Sequence, residues 1–416
     1  MAELTRRLLL KEGMMALVSL GVAPGFLART AALQGRRRRV LVVVFQRGAV
    51  DGLNMVVPFG DPEYYFARPT IAIARPGQAE DVTIAIDNLF GLHPRLAPLA
   101  ALHRRGHLGV VHACGSPLST RSHFDAQDYL ETGTPGVRTT PDGWLNRYMA
   151  GRPDTDATPF RAVAATPRRP RALDGSAATL VIPDLSRFGV RDAPGYDDIA
   201  AAFRDRYQTG VDTQLSIAAR EAFDAIDQLS AVRLGRGDPA NAAVYPVTRY
   251  GRALRQIAQL IKADVGLEIA FAESDDWDHH ADEGGATGHM ARGLDDFGRG
   301  LAAFYTDLGD RMEDVLILTM SEFGRSITEN GSRGTDHGHG NAMLLIGGGV
   351  RPGVHGRWPG LRRDQRYEGR DLAVTTDFRD LFGEVLVRHM GLSPAAANAV
   401  FPGYEVSAAR FTGVLR

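Results

Sequence analysis

Apolar positions along the chain follow two periodicities. Val40–Phe45 is an unbroken, largely β-branched run, the pattern of a strand covered on both faces in a parallel sheet. Runs of the same kind recur at Leu108–Ala113, Gly266–Ala272, Val315–Met320 and Met343–Gly347. Between them the spacing becomes that of amphipathic helices, clearest at Pro94–Arg104, Asp212–Leu234, Thr248–Ile261 and His289–Leu308. Strands alternating with helices predict an α/β chain with a doubly wound, mostly parallel sheet. In such sheets ligands bind beyond the carboxyl ends of the strands. The stretch from Gly151 to Asp198 breaks the rhythm with Pro153, Pro159, Pro167, Pro170, Pro183 and Pro194. It is expected to form an irregular insertion or cap.

Ahead of the first strand the pattern is different. Thr5-Arg6-Arg7-Leu8-Leu9-Leu10-Lys11 leads into a moderately apolar stretch interrupted by Gly13, Gly21, Pro24 and Gly25. A charged segment followed by such a stretch is the layout of a removable secretory signal. The arginine pair resembles the twin-arginine consensus. Residues 1–32 are therefore expected to be an export signal, cleaved near Ala28 to Ala32, with residues 36–416 forming one domain. The stretch is too short and too broken for a bilayer span, which takes roughly 20 residues. The expected compartment is the periplasm or beyond, and the expected partner in transit is the twin-arginine translocation machinery.

Composition narrows the chemistry. The formal net charge is −1, which gives no reason to expect a nucleic-acid partner. The run Arg36 to Arg39 is local and reads as a solvated flank. Cys114 is the single cysteine, so an internal disulfide framework and a cysteine-based metal site are both excluded. A metal would need histidine and carboxylate ligands.

Such residues follow the apolar runs. Asp51, flanked by Gly48 and Gly52, comes after the first; Ser119-Thr120-Arg121-Ser122-His123 comes after the second and enters a helix. Asp275-Asp276-Trp277-Asp278-His279-His280 follows the third, Ser321-Glu322-Phe323-Gly324-Arg325 the fourth, and Asp336-His337-Gly338-His339 precedes the last. Each has an ordinary structural role available: an Asp-Gly turn at Asp51, an N-cap at Ser122, a satisfied loop carboxylate at Glu322. Together they bring hard and borderline ligands to one sheet edge, which points to a divalent metal.

The segments Arg47–Asn54, Arg121–Phe124, Trp277–His280, Ser321–Arg325 and Gly334–Gly338, in this order, resemble the family known as domain of unknown function 1501. That family is similar to the alkaline-phosphatase-like superfamily of phosphatases, sulfatases and phosphomutases. The resemblance implies an α/β/α sandwich and two divalent metals flanking a Ser, Thr or modified Cys nucleophile. It implies that Asp51 binds one metal, and that the nucleophile is Ser119 by the phosphomutase spacing or Ser122 by the family motif. Asp278, His280 and His337, with Asp336 in the Gly334–His337 motif, would serve the other metal; the superfamily spacing would also allow Asp276 with His280. Where the superfamily carries an Asp-His pair this chain has Glu322-Phe323, and phenylalanine cannot ligate. The second site is then left with Asp51, Glu322 and the serine.

The function this implies is an exported, metal-dependent hydrolase of a phosphate or sulfate ester. The substrate would be a small molecule or polymer, the nucleophile a serine, and Arg121 would clamp the substrate oxygens. Zn, Mn, Mg and Ca all remain open. The alternative is a non-catalytic envelope binding protein that retains the fold.

Overall fold

The computed structural model describes residues 38–152, 158–185 and 238–416. The expected signal and the predicted helix Asp212–Leu234 lie outside the described residues. Among the described residues the strands are β1 (Val40–Gln46), β2 (Val56–Val57), β3 (Ile84–Ala85), β4 (Gly91–Leu92), β5 (Leu108–Gly115), β6 (Ala162–Ala164), β7 (Leu180–Val181), β8 (Ile269–Ser274), β9 (Val315–Met320), β10 (Asn341–Ile346), β11 (Gly353–His355) and β12 (Thr376–Asp377). The main sheet runs β11-β5-β10-β9-β1-β8-β6-β7, with β12 also beside β5, while β2, β4 and β3 form a small sheet apart.

The apolar runs explain why this sheet is central. Side chains alternate between the faces of a strand, and in β1 Val40, Val42 and Val44 enter one core while Leu41, Val43 and Phe45 enter the other. The first core is closed by helices Ala97–Arg104, Arg249–Lys262 and His289–Leu308, the second by Trp144–Ala150, Phe378–Glu384 and Pro394–Val400. The result is an α/β/α sandwich. Helix His289–Leu308 and strand β9 occupy the spans their patterns predict. The helix read at Thr248–Ile261 spans Arg249–Lys262, with the Thr248 hydroxyl accepting from the Gly251 amide at 3.1 Å as its cap. Pro94–Arg104 divides into a 3₁₀ turn at Pro94–Leu96 and an α-helix from Ala97.

Two features differ from the sequence reading. β10 runs antiparallel to both β5 and β9, whereas β1 is parallel to β8 and β9. The start of β10 therefore lies on the edge where β1, β5, β8 and β9 end, which brings the residues before it to that edge. Within Gly151–Asp198, the described part contributes β6 and β7, which extend the sheet beside β8. Three residues are too few for a period of two to show. Among the described residues no helix is long and apolar enough to cross a membrane.

Candidate metal centre

Four strand ends and one strand start build the centre. Beyond β5 the chain turns into helix His123–Thr132, whose cap is Ser122, its hydroxyl accepting weakly from the Asp125 amide at 3.4 Å. Beyond β8 the loop is anchored by Trp277, buried, with Nε1 donating to the Ser274 carbonyl at 3.1 Å. Gly48, just past β1, lies against this loop with φ +111°, and a Cβ there would stand 2.9 Å from the Asp278 nitrogen. Only glycine accepts both the left-handed backbone and the close approach. Residues 321–340 leave β9 and return to start β10, and they pair with themselves through Arg325 and His337.

These elements bring His123, Asp278, His280 and His337 together. Nε2 of His337 lies 3.0 Å from Nε2 of His123, 2.9 Å from Nε2 of His280 and 3.1 Å from Oδ1 of Asp278. Asp278 Oδ1 is also 3.0 Å from His280 Nε2, and Oδ2 is 3.5 Å from His123 Nε2. The ligand atoms of His123, Asp278 and His337 all fall within 4.8 Å of one another.

The far nitrogen of each ring faces an acceptor. His123 Nδ1 is 2.8 Å from Glu322 Oε1, His337 Nδ1 is 2.8 Å from the Arg121 carbonyl oxygen, and His280 Nδ1 is 3.4 Å from Asp336 Oδ1. These partners assign the proton to Nδ1 in the neutral rings and leave the Nε2 lone pairs directed at one another and at a carboxylate. Such lone pairs repel unless a cation sits among them. Nitrogen ligands of a tetrahedral zinc-sized ion stand roughly 3.3 Å apart, so His123, Asp278 and His337 fit a single small divalent ion, with His280 beside them.

A hydrogen bond and charge from Glu322 raise the His123 pKa, while burial lowers that of His337. Partial burial pushes Asp278 up, but Arg325, whose Nη1 donates at 2.6 Å, together with His280 and His337, outweighs it and keeps the carboxylate ionised. Burial likewise pushes Glu322 up, and hydrogen bonds from His123, Gln127 and the Gly48 amide outweigh it.

The residues singled out by sequence thus take distinct places. Asp278, His280 and His337 meet at the centre. Glu322 is buried behind His123, and Asp336 stands behind His280; both orient an imidazole, the carboxylate–histidine arrangement typical of metal sites. Asp51 is elsewhere: fully buried, it gives both oxygens to Arg68, Nη1 to Oδ2 and Nη2 to Oδ1 at 3.1 Å. The Arg121 guanidinium is engaged by Asp371 at 3.1 Å and Glu368 at 3.3 Å, and it is the Arg121 carbonyl that reaches the centre. Among the described residues no hydrogen bond is formed by the Ser119 hydroxyl, and Ser122 serves as the cap.

Three participants escape a reading by sequence. His123 faces the centre, although its motif draws the eye to serine; a histidine in the first helical turn after a strand is the signal that could have found it. Arg325 is buried and steadies Asp278. Phe323 packs its ring 4.9 Å from both His123 and His337, so it walls the centre where a ligand was sought.

The chain is similar to the solved structures of the lipoteichoic acid synthase LtaP from Listeria monocytogenes (10% identity, TM-score 0.32, covering 79% of this chain and 73% of that chain). It is also similar to the phosphonate monoester hydrolase of Agrobacterium radiobacter (12%, TM-score 0.35, 85% and 74%) and the PsFucS1 sulfatase from Pseudoalteromonas sp. (12%, TM-score 0.35, 80% and 68%). No curated protein matches the chain in sequence. The family model described as Protein of unknown function (DUF1501) matches residues 38–401, and the chain belongs to that family.

Proposed function

We propose that the protein is an exported, metal-dependent hydrolase of a phosphate or sulfate ester, with Ser122 as its nucleophile. The observation that carries this reading is the convergence of three imidazole Nε2 atoms and the Asp278 carboxylate while each opposite Nδ1 is already held. His123, Asp278, His280 and His337 would hold the ion. A divalent ion bound there supplies positive charge that lowers the pKa of a hydroxyl or water and offsets charge on a tetrahedral ester.

The chain's own residues provide the rest. Ser122 is flanked by Arg121, whose carbonyl holds His337, and by His123, so both neighbours are pinned to the centre. Ser119 has no such attachment, which favours Ser122. The start of helix His123–Thr132 favours negative charge on the capping oxygen. Attack by that oxygen on phosphorus or sulfur would form a serine ester and release the alcohol, which takes up the proton the hydroxyl loses. Water would then cleave the serine ester, giving free serine and inorganic phosphate or sulfate, and the Phe323 ring limits the entry of water on one side. Export by the twin-arginine route suits such a site, because ligands from distant segments meet only after folding and the metal can be acquired beforehand.

The test is metal analysis of purified protein together with hydrolysis of aryl phosphate and aryl sulfate. Ser122→Ala should abolish turnover and Ser119→Ala should retain it. A metal-free preparation that stays inert after addition of Zn, Mn, Mg or Ca overturns the reading.

A further inference from the structure

Beside the centre lies a cleft of about 450 Å³, within the size range of small-ligand sites. Its floor connects to the centre through hydrogen bonds: Arg47 Nη1 donates to Gln127 Oε1 at 3.2 Å, Gln127 Nε2 donates to Glu322 Oε1 at 2.9 Å, and Glu322 holds His123. Because β6 is parallel to β8, the loop after β6 opens on the same edge as the centre.

Among the described residues, the charges around this cleft do not balance. Five guanidinium groups, from Arg47, Arg168, Arg169, Arg171 and Arg249, line it with three carboxylates. Glu131 and Glu273 are both taken by Arg47, at 2.6 and 2.8 Å, and Asp275 by Arg249. Arg171 turns to Asp128 at 3.0 Å. Arg168 and Arg169 are exposed, and among the described residues neither has a carboxylate partner. They sit between Pro167 and Pro170, with the Thr166 hydroxyl donating to the Arg168 carbonyl at 2.7 Å. The prolines fix the backbone at both ends of the pair, so the two cations are presented from a stiff loop.

We infer that this cleft is an anion subsite in which Arg168 and Arg169 receive a second phosphate or sulfate group of the substrate whose ester is cleaved at the metal centre. The inference rests on the hydrolase reading for the word substrate. It narrows the class to molecules bearing at least two such groups, such as a multiply sulfated or phosphorylated glycan or polyol. An isolated monoester would leave the pair without a counter-charge.

Alkane-α,ω-disulfonates of increasing length serve as non-hydrolysable probes, with methanesulfonate as the single-anion reference and calorimetry on metal-loaded protein as the measurement. One length should bind at least roughly tenfold tighter than methanesulfonate, because the second contact becomes intramolecular. The exposed double variant R168A/R169A should lose that advantage. R104A/R105A, an exposed arginine pair just before β5 and so at the opposite sheet edge, should keep it. The inference is overturned if no length shows an advantage, or if both double variants lose it equally. An inert protein that retains the advantage defeats the hydrolase reading and keeps the cleft as an anion site; an active one without it loses only the cleft.

Discussion

Asp51 and Asp278 are both aspartates delivered by loops that follow central strands, and each meets a buried arginine, but only at Asp51 does the arginine take both oxygens. Asp51 is enclosed, and Arg68, equally enclosed, occupies both its oxygens; beside it Glu283 is pushed far above the ordinary carboxyl range by burial and by Asp51. That direction favours the protonated form of Glu283 beside the ionised Asp51. Asp278 is 44% exposed in its side chain; Arg325 reaches only its Oδ1, and the carboxylate also faces the Nε2 atoms of His123, His280 and His337. A covalently tethered cation cannot exchange, whereas an ion can enter and leave a solvent-reaching set of donors. The first region thus carries its counter-charge within the chain, whereas the second keeps donor atoms within reach of solvent.

The comparison can be broken most forcefully at Arg68. Arg68→Met would leave Asp51 buried without its counter-charge, and removal of one partner of a buried pair costs about 3–5 kcal/mol. Urea unfolding should show that loss, and an unchanged midpoint would mean that Asp51 does not depend on its arginine. The next largest effect is stabilisation by metal. A divalent ion at a hundred times its dissociation constant should stabilise the wild type by about 2.7 kcal/mol. A melting shift that survives His123→Ala with His337→Ala would place the ion elsewhere.

Glu322→Gln sharpens the comparison from behind the centre. Loss of a carboxylate that orients a ligating histidine weakens metal affinity roughly 10- to 100-fold, which competition with a chromogenic chelator would measure. The smallest effect concerns pH. Glu283 has a folded pKa raised above its ordinary 4.5, so its contribution to stability is fully present below that value and declines as the pH rises toward the folded pKa. Glu283→Gln should remove this decline, narrowing the difference in melting temperature between pH 5 and pH 8. An unaltered slope would show that Glu283 is ionised in the folded protein.

How far these regions could be read from sequence follows from the range of the interactions that make them. β1, β9 and helix His289–Leu308 declare themselves because their periodicity is local and long enough to register. Asp278, His280 and His337 stand out because ligand types crowd together in short loops. Arg68 sits between Ala67 and Pro69 with nothing local to mark it, and only the tertiary fold brings it to Asp51. His123 is hidden by the serine-rich turn before it, and the direction of β10 leaves no trace in a run of apolar residues that would suit either orientation. The glutamate at 322 was legible as a participant, but its place behind a histidine depends on how helix His123–Thr132 packs over the loop.

The reversed direction of β10 has a further effect on how such a protein can change. Because β9 and β10 are antiparallel neighbours, residues 321–340 form an excursion that begins and ends at adjacent points of the scaffold. Glu322, Phe323, Arg325, Asp336 and His337 all ride on it. Closing a loop between fixed neighbouring ends costs only slightly more as it lengthens. Changes of length within it therefore cost the scaffold little chain entropy, whereas Ser326 and Ile327, whose carbonyls accept from Arg68, tie one part of it to the buried surroundings of Asp51 and would resist exchange.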